Sequence, residues 1–286
     1  VELDLLAARA EALEHAPGWE QRWASVVDRI PDPDARARAR LQVVGGLIST
    51  GEFALAAALA TLDEAVDPGL QVALEMNALQ AGLMHVDSAA GTSERVRALI
   101  DAEAAGAPLT LYERAIVAFA LMLWGEDAAR ARALAERLAA DPALLAPGDA
   151  SVAYITVTTL MFTGGYGPVL AVADGLCAMA AQTGSRAMLL GGVSGRGLAR
   201  WGMGDLLAAE ADADAVLDLF ADIPPSAFDP FHLTTVAHVL IERGEAERAL
   251  TLIAERAAPE PWPAGFQYAS LHAVRASARL AADDVE

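Results

Sequence analysis

Lysine is absent from the 286-residue chain, so all 20 of its basic side chains are arginines, and Cys177 is its only cysteine. The missing lysine excludes a phosphate-binding loop of the G-x-x-x-x-G-K-[ST] type, because that loop holds the phosphates with a lysine. A single cysteine excludes an internal disulfide bond, which fits a reducing compartment. We therefore expect a cytoplasmic protein.

Aromatic residues and strand-forming runs are also scarce. Aromatics make up 6% of the chain, whereas hydrophobic residues make up 55% and are mostly alanine and leucine. This composition predicts an all-α protein. The apolar runs are broken before they reach the length of a membrane span, and the first residues, VELDLLAARAEALEHAPGWE, are too charged for a signal peptide. We expect no membrane association.

Acidic side chains outnumber basic ones by 39 to 20, which gives a formal net charge of −19. A surface of this sign repels phosphate backbones and anionic lipid headgroups. It also keeps a protein soluble. We therefore expect no direct nucleic-acid binding by this chain.

Short glycine turns recur along the chain at a regular spacing of about 40 residues, which is typical of helical solenoids. The sequence predicts a mostly apolar helix before each turn and an amphipathic helix after it. Between Gly51 and Gly125 there is room for two units, and a degenerate turn near HVDSAAGTSE would divide them. The clear turns lie at Gly51, Gly125, Gly165, Gly204 and Gly244.

We therefore predict one repeat domain over residues 1–286, a tetratricopeptide-like α-solenoid. It is a right-handed superhelix of about seven helical hairpins, with the first helix of each hairpin on the concave side. Long, variable loops are expected to join the hairpins. Helix starts are predicted from capping signals at Asp67-Pro68, Asp141-Pro142 and Asp229-Pro230.

Glycine is densest in LLGGVSGRGLARWGMGD, residues 189–205. Gly202 to Asp205 is in register with the other turns, so it is predicted to join two helices. The dinucleotide motif G-x-G-x-x-G does not fit, because Arg200 and Leu207 stand where its last glycine is required. The remaining glycines are predicted to lie inside the preceding helix, where small residues let another helix approach: Gly191, Gly192, Gly195 and Gly197.

Two stretches, GRGLARWGMGDLLAAEADADAVLDL and LIERGEAERALTLIAE, resemble tetratricopeptide-type repeats. They are most similar to the helical-repeat region of large ATP-binding LuxR-type bacterial transcriptional regulators. In that family an ATPase module precedes the repeats and a helix-turn-helix module follows them. The resemblance implies that this chain is a fragment of a longer regulator. Its function would be to sense a ligand or to bind a protein partner.

Residues that often carry catalysis are not spaced for it in this sequence. His232 and His238 are six residues apart, whereas a metal-binding pair on a helix needs three or four. Cys177 lies in an apolar segment, which predicts a buried, inert thiol. We expect no catalytic residue, no metal site and no cofactor.

Two alternatives remain open from the sequence. In the first alternative, the chain is a free-standing tetratricopeptide-like scaffold. In the second it is an all-α metal-dependent enzyme that uses the carboxylates between Glu210 and Asp218, although a solvated helix face explains those carboxylates as well.

Polar and aromatic residues on the first helices predict a binding groove. In FHLTTVAHVLIE, Phe231, Thr235 and His238 lie in one line opposite the apolar stripe. Arg196 interrupts a helix of small apolar residues and suits a carboxylate or phosphate. If His238 contacts the ligand, it would make binding sensitive to pH near neutrality. We predict that a peptide, a protein segment or a small effector binds in a concave groove lined by Tyr154, Thr158, Arg196, Thr235, His238 and Tyr268.

Overall fold

The computed structural model confirms that the protein is all-α. It describes residues 4, 7–8, 19–27, 29–50, 52–60, 67–84, 89–145, 150–221, 228–257, 262 and 265–283. Within these ranges the chain forms fourteen α-helices and no β-strand. None of the described helices is long and apolar enough to cross a membrane.

The chain divides into two compact units, residues 1–98 and residues 99–286. In the first unit, α2 packs against α1, α3 and α4, and α3 also packs against α4. Leu47, Leu74 and Met76 are fully buried there. The helices that begin in this unit are α1 (Trp19–Val27), α2 (Pro33–Thr50), α3 (Phe53–Leu59), α4 (Pro68–Met84) and α5 (Ala89–Ala104), and the unit boundary falls within α5.

Helices of two kinds alternate in the second unit. The first helices are α6 (Leu111–Trp124), α8 (Ser151–Phe162), α10 (Arg186–Gly202), α12 (Asp229–Glu242) and α14 (Phe266–Ala281). The second helices are α7 (Ala128–Ala139), α9 (Tyr166–Thr183), α11 (Leu206–Phe220) and α13 (Ala246–Arg256), and a short 3₁₀ helix, Pro142–Leu145, follows α7.

Each first helix contacts the next first helix along the chain, and each second helix packs against the first helices on either side of it. From Leu190 of α10 to Ala278 of α14, the buried apolar side chains form one continuous cluster. The superhelix, its hand, its seven hairpins and the single domain over residues 1–286 stay predictions.

The predicted glycine turns are confirmed wherever the structure describes them. Gly125, Gly204 and Gly244 each adopt a positive φ between a first and a second helix, a conformation that glycine adopts without strain. In the α8–α9 turn, Gly164 has the positive φ and Gly165 precedes α9. Gly51 lies outside the described residues.

Not every connection between repeats is a long loop. The connection from α9 to α10 is a tight turn at Gly184 and Ser185, where the Ser185 hydroxyl accepts a hydrogen bond from the Met188 amide. The expectation of long loops is therefore wrong at this position.

Two of the three predicted Asp-Pro signals begin long helices as expected, at Asp67-Pro68 for α4 and at Asp229-Pro230 for α12. Asp67 accepts backbone hydrogen bonds at the start of α4. Asp141 instead caps the 3₁₀ helix. Asp229 is the first residue of α12, and its buried carboxylate pairs with Arg256 of α13.

The glycines inside α10 let its neighbours approach closely, as predicted. A Cβ atom built on Gly191 would lie 2.4 Å from the Tyr154 ring of α8. One on Gly192 would lie 2.8 Å from Cys177 Sγ of α9 and 3.1 Å from a backbone carbonyl oxygen. One on Gly197 would lie 3.0 Å from both Asp212 of α11 and Thr235 of α12. Glycine therefore sets the spacing between α10 and all four helices around it.

We expect Gly192→Ala to lower the free energy of unfolding by about 1 to 3 kcal/mol, because a methyl group has no room against the α9 backbone. Gly167→Ala is the matched control, since no atom lies within 4 Å of the added Cβ at this α9 position. The control should leave stability unchanged or slightly higher. Urea denaturation of both variants makes the measurement, and equal stability would contradict the close packing.

Candidate binding site

Four phenylalanine rings from four different first helices form one chain of contacts. The ring centroids of Phe162 and Phe266 are 5.0 Å apart, those of Phe119 and Phe266 are 5.7 Å apart, and those of Phe162 and Phe231 are 5.9 Å apart. These spacings lie in the range of favourable edge-to-face and tilted aromatic pairs. We call these four residues the phenylalanine cluster.

The phenylalanine cluster is buried at one end and exposed at the other. Phe119 of α6 is 3% exposed, whereas Phe162, the last residue of α8, is 42% exposed. Phe231 and Phe266 are partly buried. A large apolar ring that is backed by other rings yet still meets solvent offers a contact surface for an apolar group.

The buried polar side chains of α8 form hydrogen bonds within their own helix. The hydroxyls of Thr156 and Thr159 are buried and donate to the carbonyls of Val152 and Ile155 in their own helix. These polar groups are therefore satisfied locally. Thr158 lies one helical turn before Phe162 and is partly exposed, so of the predicted residues it fits the exposed cluster best.

Arg196 does not reach toward a ligand, because its guanidinium is held by the chain's own carboxylates. Its Nε and Nη2 atoms donate to Asp212 of α11 at 2.7 to 3.2 Å, and Nη1 donates to Asp174 of α9 at 3.0 Å. The hydrogen bonds with Asp212 raise the pKa of Arg196. Arg196 therefore binds carboxylates, as predicted, but these belong to the chain itself and not to a ligand.

Asp212 is the centre of this network. Its side chain is 3% exposed, and Arg200 Nη1 also donates to it at 2.8 Å. A buried carboxylate needs such compensation, because removing it from water is costly. The four side chains, two arginines and two aspartates, carry no formal net charge.

Thr235 and Tyr268 are packing residues in the structure, which corrects their predicted place in the groove. Thr235 is fully buried, and its hydroxyl donates to the Ser194 carbonyl of α10 at 3.1 Å. Tyr268 is buried against Trp262, with ring centroids 5.8 Å apart. Burial raises the pKa of Tyr268, and the nearby Asp229 adds to the rise.

Tyr154 lies against α10, where Gly191 leaves room for its ring. Burial raises the pKa of its phenol above the usual range, so the side chain stays a neutral hydroxyl. Cys177 lies close enough to contribute to that rise. Cys177 is only partly buried, so the full burial expected from the sequence is not found. The pKa of its thiol is raised, mainly by desolvation, which agrees with the low reactivity expected.

His238 stacks on Trp201 of α10, with ring centroids 3.9 Å apart and an angle of 22° between the ring planes. Burial lowers the pKa of His238 to about 4, although Glu242 acts in the opposite direction. The imidazole is therefore neutral at physiological pH. The expected pH sensitivity near neutrality is wrong for this reason.

The structure thus brings Tyr154, Arg196 and Thr235 together around α10 as packing partners and not as the lining of one groove. Sequence reasoning named Phe231 but missed the other three members of the phenylalanine cluster. The sequence offered one signal for this cluster, which is the scarcity of phenylalanine. The chain has only seven phenylalanines, and four of them are in contact.

Among the residues that the structure describes, no three His, Cys, Asp or Glu side chains gather as metal ligands. In the acidic segment of α11, Asp212 pairs with two arginines and Glu210 pairs with Arg243. The structure therefore shows no carboxylate cluster for the metal-dependent alternative in that segment.

Comparison with known proteins gave no match: no family model, no curated protein and no solved structure is significantly similar to the chain.

We expect Asp212→Asn to destabilise the protein by about 2 to 4 kcal/mol, because it leaves two guanidiniums beside a buried amide. The control is Glu136→Gln, which removes an exposed pair with Arg132 on α7 and should cost less than about 0.5 kcal/mol. Thermal and urea denaturation measure both. If Asp212→Asn left the free energy of unfolding unchanged, the pairing of Arg196 with Asp212 would not contribute to stability.

Stability should also fall as the pH is lowered. The folded-state pKa of His238 lies below its unfolded value of about 6.5, so the unfolded chain binds protons first and the loss develops as the pH falls from about 6.5 to 4. Between pH 7 and pH 5 this group alone accounts for about 2 kcal/mol.

His238→Phe keeps an aromatic ring on Trp201 but cannot bind a proton. We expect its free energy of unfolding to fall less than that of the wild type between pH 7 and pH 5. Both proteins share all other titrating groups, so the difference between them isolates His238. Parallel pH curves would contradict the lowered pKa.

Proposed function

We propose that this chain is a non-enzymatic interaction module that binds a peptide or protein segment, or a small effector, through its first helices. The phenylalanine cluster carries the proposal. Four first helices contribute one ring each, and the Phe162 ring remains 42% exposed. An apolar side chain of a partner would be buried against Phe162, with Thr158 beside it as a polar contact.

The architecture behind this site is, in our proposal, a tetratricopeptide-like right-handed superhelix of about seven hairpins. The glycine turns and the serial contacts between first helices support it. The contact between Phe119 of α6 and Phe266 of α14 supports strong curvature, because it joins two first helices that are far apart in the series.

We further propose that the module belongs to a cytoplasmic bacterial transcriptional regulator of the large ATP-binding LuxR type. The support is the resemblance of its repeats around Gly204 and Gly244. The surrounding reading frame tests this part directly. A nucleotide-binding loop upstream and a helix-turn-helix segment downstream are expected, and stop codons directly at both ends would refute it.

Phe162→Ser tests the binding site. Peptides would be selected from a random 12-residue phage-displayed library on the wild-type protein, and their affinities measured by fluorescence anisotropy. We expect the selected peptides to bind Phe162→Ser at least about tenfold more weakly, since a central aromatic anchor commonly contributes that much. Selected peptides should carry aromatic or large aliphatic residues.

Leu280→Ser is the matched control for this experiment, because Leu280 is also an exposed apolar residue but lies near the end of α14. It should leave the affinities unchanged. Circular dichroism must show that both variants are folded. Equal affinities for the wild type and Phe162→Ser would place the binding site elsewhere.

A further inference from the structure

A second apolar surface lies at the turn between α10 and α11. Met203 is 47% exposed, Leu206 is 44% exposed and Leu207 is 81% exposed. Met203 directly follows α10 as its C-cap residue, and the two leucines are the first two residues of α11. The three residues lie within five positions of one another at the turn that joins α10 to α11, and none of them belongs to the phenylalanine cluster.

The turn itself does not require these leucines. The equivalent first two residues are Ala128 and Ala129 in α7, and Ala246 and Glu247 in α13. Those turns close on Gly125 and Gly244 with the same left-handed backbone conformation. Leu207 is too exposed to add to the core, so its apolar surface is not explained by folding.

Acidic side chains continue this surface along α11. Asp214 and Asp218 lie seven and eleven residues after Leu207, which places them on the same side of the helix. Both are exposed, and neither pairs with an arginine in the described part of the chain. Asp212 and Glu210 differ from them, because arginines neutralise both.

The face that runs from Leu207 to Asp218 is therefore apolar at one end and negative at the other. It extends over roughly 16 Å at the rise of an α-helix. A matching partner presents apolar side chains near one end and arginine or lysine two to three helical turns away. A second copy of the chain matches poorly, because each copy carries a net charge of −19.

We propose that the outer face of α11, formed by Met203, Leu206, Leu207, Asp214 and Asp218, docks a cationic amphipathic helix of a partner protein. The leucines supply apolar contact area, and the two aspartates orient the partner through its basic residues. This surface shares no residue with the phenylalanine cluster, so we expect Phe162→Ser to leave its binding unchanged.

The test uses the full chain and three synthetic 16-residue peptides labelled with fluorescein. The first is a helix-forming peptide with two adjacent leucines near one end and arginines seven and eleven positions further on. The second has glutamate in place of each arginine. The third is a scramble of the first. Fluorescence anisotropy is measured at 50 mM and 300 mM salt.

We expect the arginine peptide to bind at least tenfold more tightly than the other two, and more weakly at high salt. Leu206→Ser combined with Leu207→Ser should reduce its affinity at least tenfold, and so should Asp214→Asn combined with Asp218→Asn. Ala128→Ser combined with Ala129→Ser, at the equivalent turn, is the matched control and should not change it. Circular dichroism checks the fold of every variant.

Three results would overturn the proposal. One is a lack of binding by the arginine peptide, and another is equal binding by the scramble, which would mean general charge attraction. The third is a dimer in sedimentation velocity that Leu207→Ser dissociates, because the surface would then bind a second copy of the chain.

Discussion

The close packing of four helices around α10 is the constraint on which the rest of the second unit depends. An α-helix normally keeps its neighbours at 8 to 10 Å because its side chains stand between the axes. Gly191, Gly192, Gly195 and Gly197 remove those side chains where α8, α9, α11 and α12 come nearest. The first helices on either side of α10 are positioned by this packing, and with them Phe162 and Phe231.

Charge is distributed according to burial in the same region. The carboxylates that face the interior, Asp212 and Asp229, are each held by arginine, as a low-dielectric environment demands. Those on the outside of α11, Asp214 and Asp218, face water. In this region arginine therefore neutralises the interior carboxylates, and Asp214 and Asp218 add negative charge to a surface that a partner can reach.

Helices and turns were predictable from the sequence, whereas contacts between residues that are distant in the chain were not. The helical class, the turns at Gly125, Gly204 and Gly244, and the packing role of the α10 glycines follow from composition and spacing. Arg196 was assigned to a ligand because periodicity does not show which neighbour a helix face meets. Its partner Asp212 lies on the next helix. The phenylalanine cluster joins four helices that are distant in the sequence, and no single segment encodes their meeting.

The contact between Phe119 and Phe266 bears on how the second unit unfolds. In an open repeat array each repeat touches only its neighbours, so the terminal repeats fray independently and stability is a sum of local terms. Here a ring from α6 packs against a ring from α14, so the two ends of the series share an interaction. Fraying of either helix would separate the two rings and expose the apolar surface between them, which favours joint unfolding of the terminal helices. The packed rings would thus oppose independent fraying at the two ends of the second unit.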